Sequence, residues 1–297
     1  ARVFDDDDPA RGAILTAADI ARIGEDGNPL SDTNSKLVIQ TVGYAPDNTR
    51  VTLEATIANS SVALPAVVGG GTLDISGNPT ITGMMGGVHA NDDLDISGNP
   101  DIAQNATAGD TYTASGNPTI AGISGGGQAT LPIPPITAIG RLGYANFILT
   151  SGGQMTNPAG TVICDAAADN QACESAGYGW VFQGAGGWKI SGNSGTDGTC
   201  YVQGDAKMSG NLGSPANPFG LTVIAEGSIE ISGNSDIVPD MPELLFVTDA
   251  DLKISGQLDT DLAVEGAILV HEQIEVSGNP TLSGQLVVED AVNNSSL

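Results

Sequence analysis

The chain has 297 residues, of which 35 are Asp or Glu and nine are Lys or Arg, for a net charge of −26. Such acidity excludes nucleic acid and anionic membrane as electrostatic partners and suits solubility outside a cell. Forty-one glycines and an aromatic content of 4% argue against a helical or aromatic-rich core, and no apolar run is long enough to span a membrane.

The first 60 residues carry no repeat. Val3-Phe4 reads as a strand leading into the acidic run 5–8. A short helix is expected over residues 17–23, then a turn-rich acidic loop over 25–34. Residues 37–42 and 50–57 read as two strands linked by a hairpin over 44–49, a small antiparallel sheet. Calcium takes six to eight oxygens from carboxylates, amides and carbonyls on flexible loops. Asp5, Asp7, Asp26, Asn28, Asp32 and Asn34 supply candidate ligands of that kind. A solvated acidic turn is the competing reading, since no complete EF-hand pattern is present.

From residue 61 onward one phrase recurs: an apolar residue, then Ser-Gly-Asn or Ser-Gly-Gln. Its copies begin at Ser76, Ser97, Ser115, Ser191, Ser209, Ser232, Ser255 and Ser277. Apart from the gap after Ser115, they lie 18 to 23 residues apart. A repeat of that length implies stacked units, because one unit cannot bury its own apolar face. The residue before each serine is Ile75, Ile96, Ala114, Ile190, Met208, Ile231, Ile254 or Val276. Three before it stands Leu73, Leu94, Tyr112, Trp188, Ala206, Ile229, Leu252 or Ile274. Between them runs a mostly polar column of Asp74, Asp95, Thr113, Lys189, Lys207, Glu230, Lys253 and Glu275. Apolar-polar-apolar is period two, a short strand with one buried face.

Stacked in parallel, Lys207, Glu230, Lys253 and Glu275 alternate in sign from coil to coil. Asn78, Asn99, Asn117, Asn193, Asn211, Asn234, Gln257 and Asn279 form an amide column that can hydrogen-bond along the axis. Asn also tolerates the left-handed backbone of a corner. The expected fold is therefore all-β: a parallel β-helix over 61–297, interrupted by an irregular segment at about 129–187, behind a small antiparallel sheet over 1–60. The prolines at 132, 134 and 135 break the pattern, since proline cannot feed a central ladder.

Cys164, Cys173 and Cys200 all lie between the repeat blocks. A Cys164–Cys173 disulfide clipping a small loop is favoured, with Cys173–Cys200 as the other pairing; export permits either. His89 and His271 stand apart from any cysteine cluster and read as ordinary polar side chains. Carboxylate pairs such as Asp92/Asp93 and Asp249/Asp251 are expected by chance in so acidic a chain, and Arg141 is its one arginine after residue 50. No catalytic residue and no cofactor beyond calcium is assigned.

The sequence Asp95-Ile96-Ser97-Gly98-Asn99-Pro100 and the stretches 221–234 and 270–285 resemble PilX-type pilus assembly proteins of bacterial type IV pilus systems. These are minor-pilin-like proteins with a long β-helical C-terminal region. Their Asp/Asn-rich run after a short strand, followed by a strand pair, matches the opening of this chain. The resemblance implies that residues 1–60 are a pilin-like sheet and that the chain is a mature or truncated exported fragment. It implies a structural role at a bacterial cell surface, in a pilus tip or priming element, with no enzymatic activity. The implied partners are other pilin subunits and a tip adhesin, with membrane contact only through an N-terminal hydrophobic helix missing here. An extracellular carbohydrate-binding adhesin or polysaccharide-degrading enzyme is the alternative.

Overall fold

The computed structural model describes residues 2–5, 36–44, 50–58, 64–82, 85–192, 195–260, 266–278 and 280–291. The chain forms two compact units, 1–63 and 64–297. In the first, strands Arg2–Asp5, Lys36–Tyr44 and Arg50–Ala58 form an antiparallel sheet in chain order, with Lys36 opposite Ala58 and Tyr44 opposite Arg50. The expected helix at 17–23 and the loop at 25–34 lie outside the described residues.

The second unit is a parallel β-solenoid of about ten turns. Its coils do not stack in chain order. On one face the strands run, from one end to the other, Phe147–Leu149, Gly198–Val202, Phe219–Ala225, Glu243–Thr248, Gly266–Val270, Leu286–Val288, Val67–Gly69, Val88–Ala90, Ala106–Ala108 and Ser124–Gly125. The chain thus enters at an internal coil, winds to one end, returns to the other, and winds back until its last coil meets its first. At that seam Leu286, Val287 and Val288 pair in parallel with Val67, Val68 and Gly69. Gly70 is required there, since a Cβ would overlap the Glu289 carbonyl, and a Cβ on Gly71 would displace the Asp290 carboxylate.

The second face carries the aligned columns. Gly187–Ser191, Ala206–Ser209, Ile229–Val238, Leu252–Asp259 and Ile274–Gly278 pair in parallel, with Ser191, Ser209, Ser232, Ser255 and Ser277 in register. Leu73–Ile75, Leu94–Gly98 and Tyr112–Gly116 form a separate ladder in the same register. Ile190, Met208, Ile231 and Ile254 are fully buried, as are Leu94 and Ile96. Burying each large apolar side chain contributes about 2 kcal/mol before entropy is counted. Two members of the column depart from the expectation. Ala114 is exposed because its strand is the last of its ladder, with no described strand paired on its outer side. Val276 is 44% exposed, and among the described residues no strand pairs with Ile274–Gly278 on that side, because the coil of Leu286–Val288 intervenes before Leu73–Ile75.

The segment expected to be an irregular interruption has two defined parts. Residues 147–191 build the first coil and its cap: antiparallel strands Phe147–Leu149, Gln154–Thr156 and Val162–Asp165, and the hairpin Trp180–Gly184 with Gly187–Ser191. Residues 129–146 are a strap that carries the chain back along the solenoid. Nine coil spacings of about 4.8 Å ask for roughly 43 Å, within the reach of the residues between Gly125 and Phe147. The strap lays Ile136, Ala138 and Ala145, all buried, on the outward side chains Val68, Val287, Val247, Ile224 and Tyr201. This explains a difference between the faces. On the strapped face the stretches 221–225 and 244–248 are buried without a break, whereas the second face alternates.

Candidate functional site

The most ordered polar surface of the solenoid is the second face. Along the axis its polar column runs Lys189, Lys207, Glu230, Lys253 and Glu275, then Asp74, Asp95 and Thr113 in the separate ladder. Lys207 Nζ lies 2.7 Å from Glu230 Oε1, and Lys253 Nζ lies 2.6 Å from Glu275 Oε2. The second pair raises the Lys253 pKa, chiefly through the hydrogen bond to Glu275. These side chains are each about 40% exposed, so water screens each pair and it serves register more than stability.

At the corner after this face, the left-handed residue is glycine rather than asparagine. Gly77, Gly98, Gly116, Gly192, Gly210, Gly233 and Gly256 all have φ between 76° and 116°. A Cβ on Gly98 would also overlap the carbonyl oxygen of Gly77 one coil away. The amides point to solvent. Asn99 Nδ2 donates to Asn78 Oδ1 at 3.0 Å, and Asn234 stands beside Gln257 in the ladder. Asn117 and Asn211 are exposed, and Asn193 and Asn279 lie outside the described residues.

Of the carboxylates singled out as pairs, Asp93, Asp249 and Asp251 hold backbone. Asp93 Oδ1 accepts from Thr111 N–H, Asp205 Oδ1 from Ser228 N–H and Asp251 Oδ1 from Gln273 N–H, each one coil up. These residues share a column four before the repeat serine, which is legible only once the coils are stacked. Asp249 Oδ1 accepts from Ala138 N–H at 2.5 Å and Glu289 Oε2 from Ile136 N–H at 2.9 Å, so both fasten the strap. Asn91 fastens its other end, accepting from Leu131 N–H and donating to Leu131 O. Desolvation first, then repulsion from Asp92, pushes the Asp290 pKa up beside the seam.

Both histidines belong to the same scaffold. His271 Nδ1 lies 2.7 Å from the Glu289 carboxylate that holds Ile136. His89 Nε2 lies 3.1 Å from Asn91 Oδ1 and its Nδ1 2.8 Å from Thr107 Oγ1; burial pushes its pKa down. A disulfide joins Cys164 to Cys173 and closes the capped end. Cys200 is a buried free thiol, and desolvation raises its pKa to about 12. Trp180, Trp188 and Tyr201 point inward or under the strap, so this aromatic cluster is not an exposed sugar platform. Burial and the hydrogen bond to Glu226 push the Tyr201 pKa up.

Asp5 ends the first strand, while Asp7, Asp26, Asn28, Asp32 and Asn34 lie outside the described residues. Among the described residues, no three His, Cys, Asp or Glu side chains converge as a metal centre would require. A shallow cleft of about 520 Å³ near the cap is lined by residues 166–170 and 182–184, with Asp169 its one ionisable side chain. Chemically, the described surface offers ordered rows of charge and amides. Comparison with protein-family models, curated proteins and solved structures finds no match.

Proposed function

We propose that this chain is a surface structural protein, the soluble part of a PilX-type minor pilin. A hydrophobic helix ahead of residue 1 would pack with other pilin subunits, and the solenoid would serve as a rigid spacer or tip element, with a tip adhesin as a further partner. The observation that carries this reading is how the polar side chains are used. Asp93, Asp205, Asp249, Asp251 and Glu289 each hold a backbone N–H of the scaffold, and His271 pairs with Glu289. Function belongs to sites rather than folds, and these groups are committed to architecture. The resemblance in the repeat supplies the pilus system. Calcium on Asp5, Asp7, Asp26, Asn28, Asp32 and Asn34 would order residues 1–60 within this assembly.

Deleting the full-length gene tests the proposal. Pilus number by electron microscopy and pilus-dependent adhesion should fall and return on complementation. Incubating the purified chain with acidic and neutral glycans, with and without calcium, should leave them intact. Unchanged piliation together with reproducible glycan cleavage would replace this reading with a polysaccharide-degrading enzyme.

A further inference from the structure

The two ends of the solenoid are built differently. One is closed by antiparallel hairpins and the Cys164–Cys173 disulfide, and it carries Asp165, Asp169, Glu174 and Lys189. The other ends on a bare coil. Among the described residues, strands Tyr112–Gly116, Thr119–Ile120 and Ser124–Gly125 each pair on one side only. Leu94 N–H donates up to Thr111 O, and Asn117 N–H donates down to Gly98 O. By strand alternation, the backbone groups of Ala114 and Gly116 point away from the solenoid, a row of donors and acceptors without a ladder partner among the described residues. Ile123 is 67% exposed on this coil.

Exposed edges are usually guarded by charge, because an open row of backbone groups templates another strand. This edge is not guarded. Residues 111–140 contain no Asp, Glu, Lys, Arg or His, in a chain whose net charge is −26. Two copies approaching side by side would bring their acidic surfaces together. Approaching through this end, they meet where the strands themselves carry no charge and Asp110 at the corner before Tyr112 is the nearest acid.

We propose that the open end pairs with the open end of a second copy of this chain, Tyr112–Gly116 against its symmetry mate in antiparallel register. The contact is isologous, and because the far ends are capped, association closes at a head-to-head dimer instead of growing into a fibre. Ile123 from each copy is covered in the same contact. A strand edge satisfied this way needs no separate capping element.

Sedimentation velocity of the chain from about 1 to about 100 µM, spanning ordinary reversible association, tests this. A dimer is expected, tightening as salt screens the repulsion between acidic bodies. Ile123→Glu puts charge on the exposed edge, and Ala114→Pro removes an outward N–H without touching the ladder to Leu94–Gly98. Each should weaken the dimer at least about tenfold with an unchanged melting curve. Ala168→Glu at the capped end should leave it intact. A monomer at every concentration, or a dimer indifferent to both edge variants, would overturn the proposal.

Discussion

The backbone N–H of Gly70 donates to the carbonyl oxygen of Val288 at 2.8 Å, so the last coil of the chain lies against its first. A single continuous solenoid therefore forms from two blocks whose spatial order is the reverse of their order in sequence. The strap over residues 129–146 makes that order possible and covers the face it crosses.

Replacing Ile231 by Asp should cost several kcal/mol, because it empties a packed site between Met208 and Ile254 and buries an unpaired charge. Glu230→Ala, one residue away on the exposed side of the strand, should cost less than about 1 kcal/mol. Denaturant unfolding of the two variants checks this; equal losses would refute the assignment of faces.

At the repeat corner, Gly98→Ala should destabilise by about 2 kcal/mol or more, since φ is 90° and the new methyl would meet the Gly77 carbonyl. Gly143→Ala, where nothing lies within 4 Å of the added carbon, should be near neutral in the same thermal melt.

The columns were legible because period two and in-register repeats show which residues share a face. Coil order was not. Ile231 can stack on any equivalent isoleucine, and periodicity alone does not say which coil is next to which. The strap was readable only as a break, because its prolines exclude a ladder without showing where Ile136 and Ala138 pack. The clue lay in the unbroken apolar runs near Leu221 and Leu244, which require cover on both sides of the sheet. The corner glycines were overshadowed by the asparagines beside them, and the carboxylate column through Asp93, Asp205 and Asp251 was hidden by Thr, Ser and Gln at its other positions.

Stability should fall as pH drops from about 7 to about 5, in part through His89. Its folded pKa lies below the ordinary 6.5, so the unfolded chain takes up the proton first. The contribution is absent above the unfolded pKa and grows as pH falls towards the folded one, by less than about 1.4 kcal/mol per pH unit. His89→Gln should flatten this part of a melting temperature series across that range; an unchanged slope would remove His89 from the account.

Reducing the Cys164–Cys173 disulfide should loosen the capped end alone, at a cost of about 2–3 kcal/mol for so short a loop. Hydrogen exchange should rise over residues 147–187 and stay level over 64–128. Iodoacetamide should then modify Cys164 and Cys173 but spare Cys200, which is buried with a pKa of about 12.

The permuted order of coils is tested most directly by pulsed EPR on the double variant Thr113→Cys/Lys189→Cys, with spin labels on the two introduced thiols. The native disulfide and the buried Cys200 leave those positions the ones to label. Thr113 and Lys189 lie in the outermost coils of the same polar column. Eight coil spacings separate them, because the coil of Leu286–Val288 lies between those of Glu275 and Asp74, so the distance should be roughly 38 Å before allowing for the label arms. If the coils stacked in chain order, these residues would be near neighbours, and a distance below about 15 Å would contradict the seam between Val288 and Gly70.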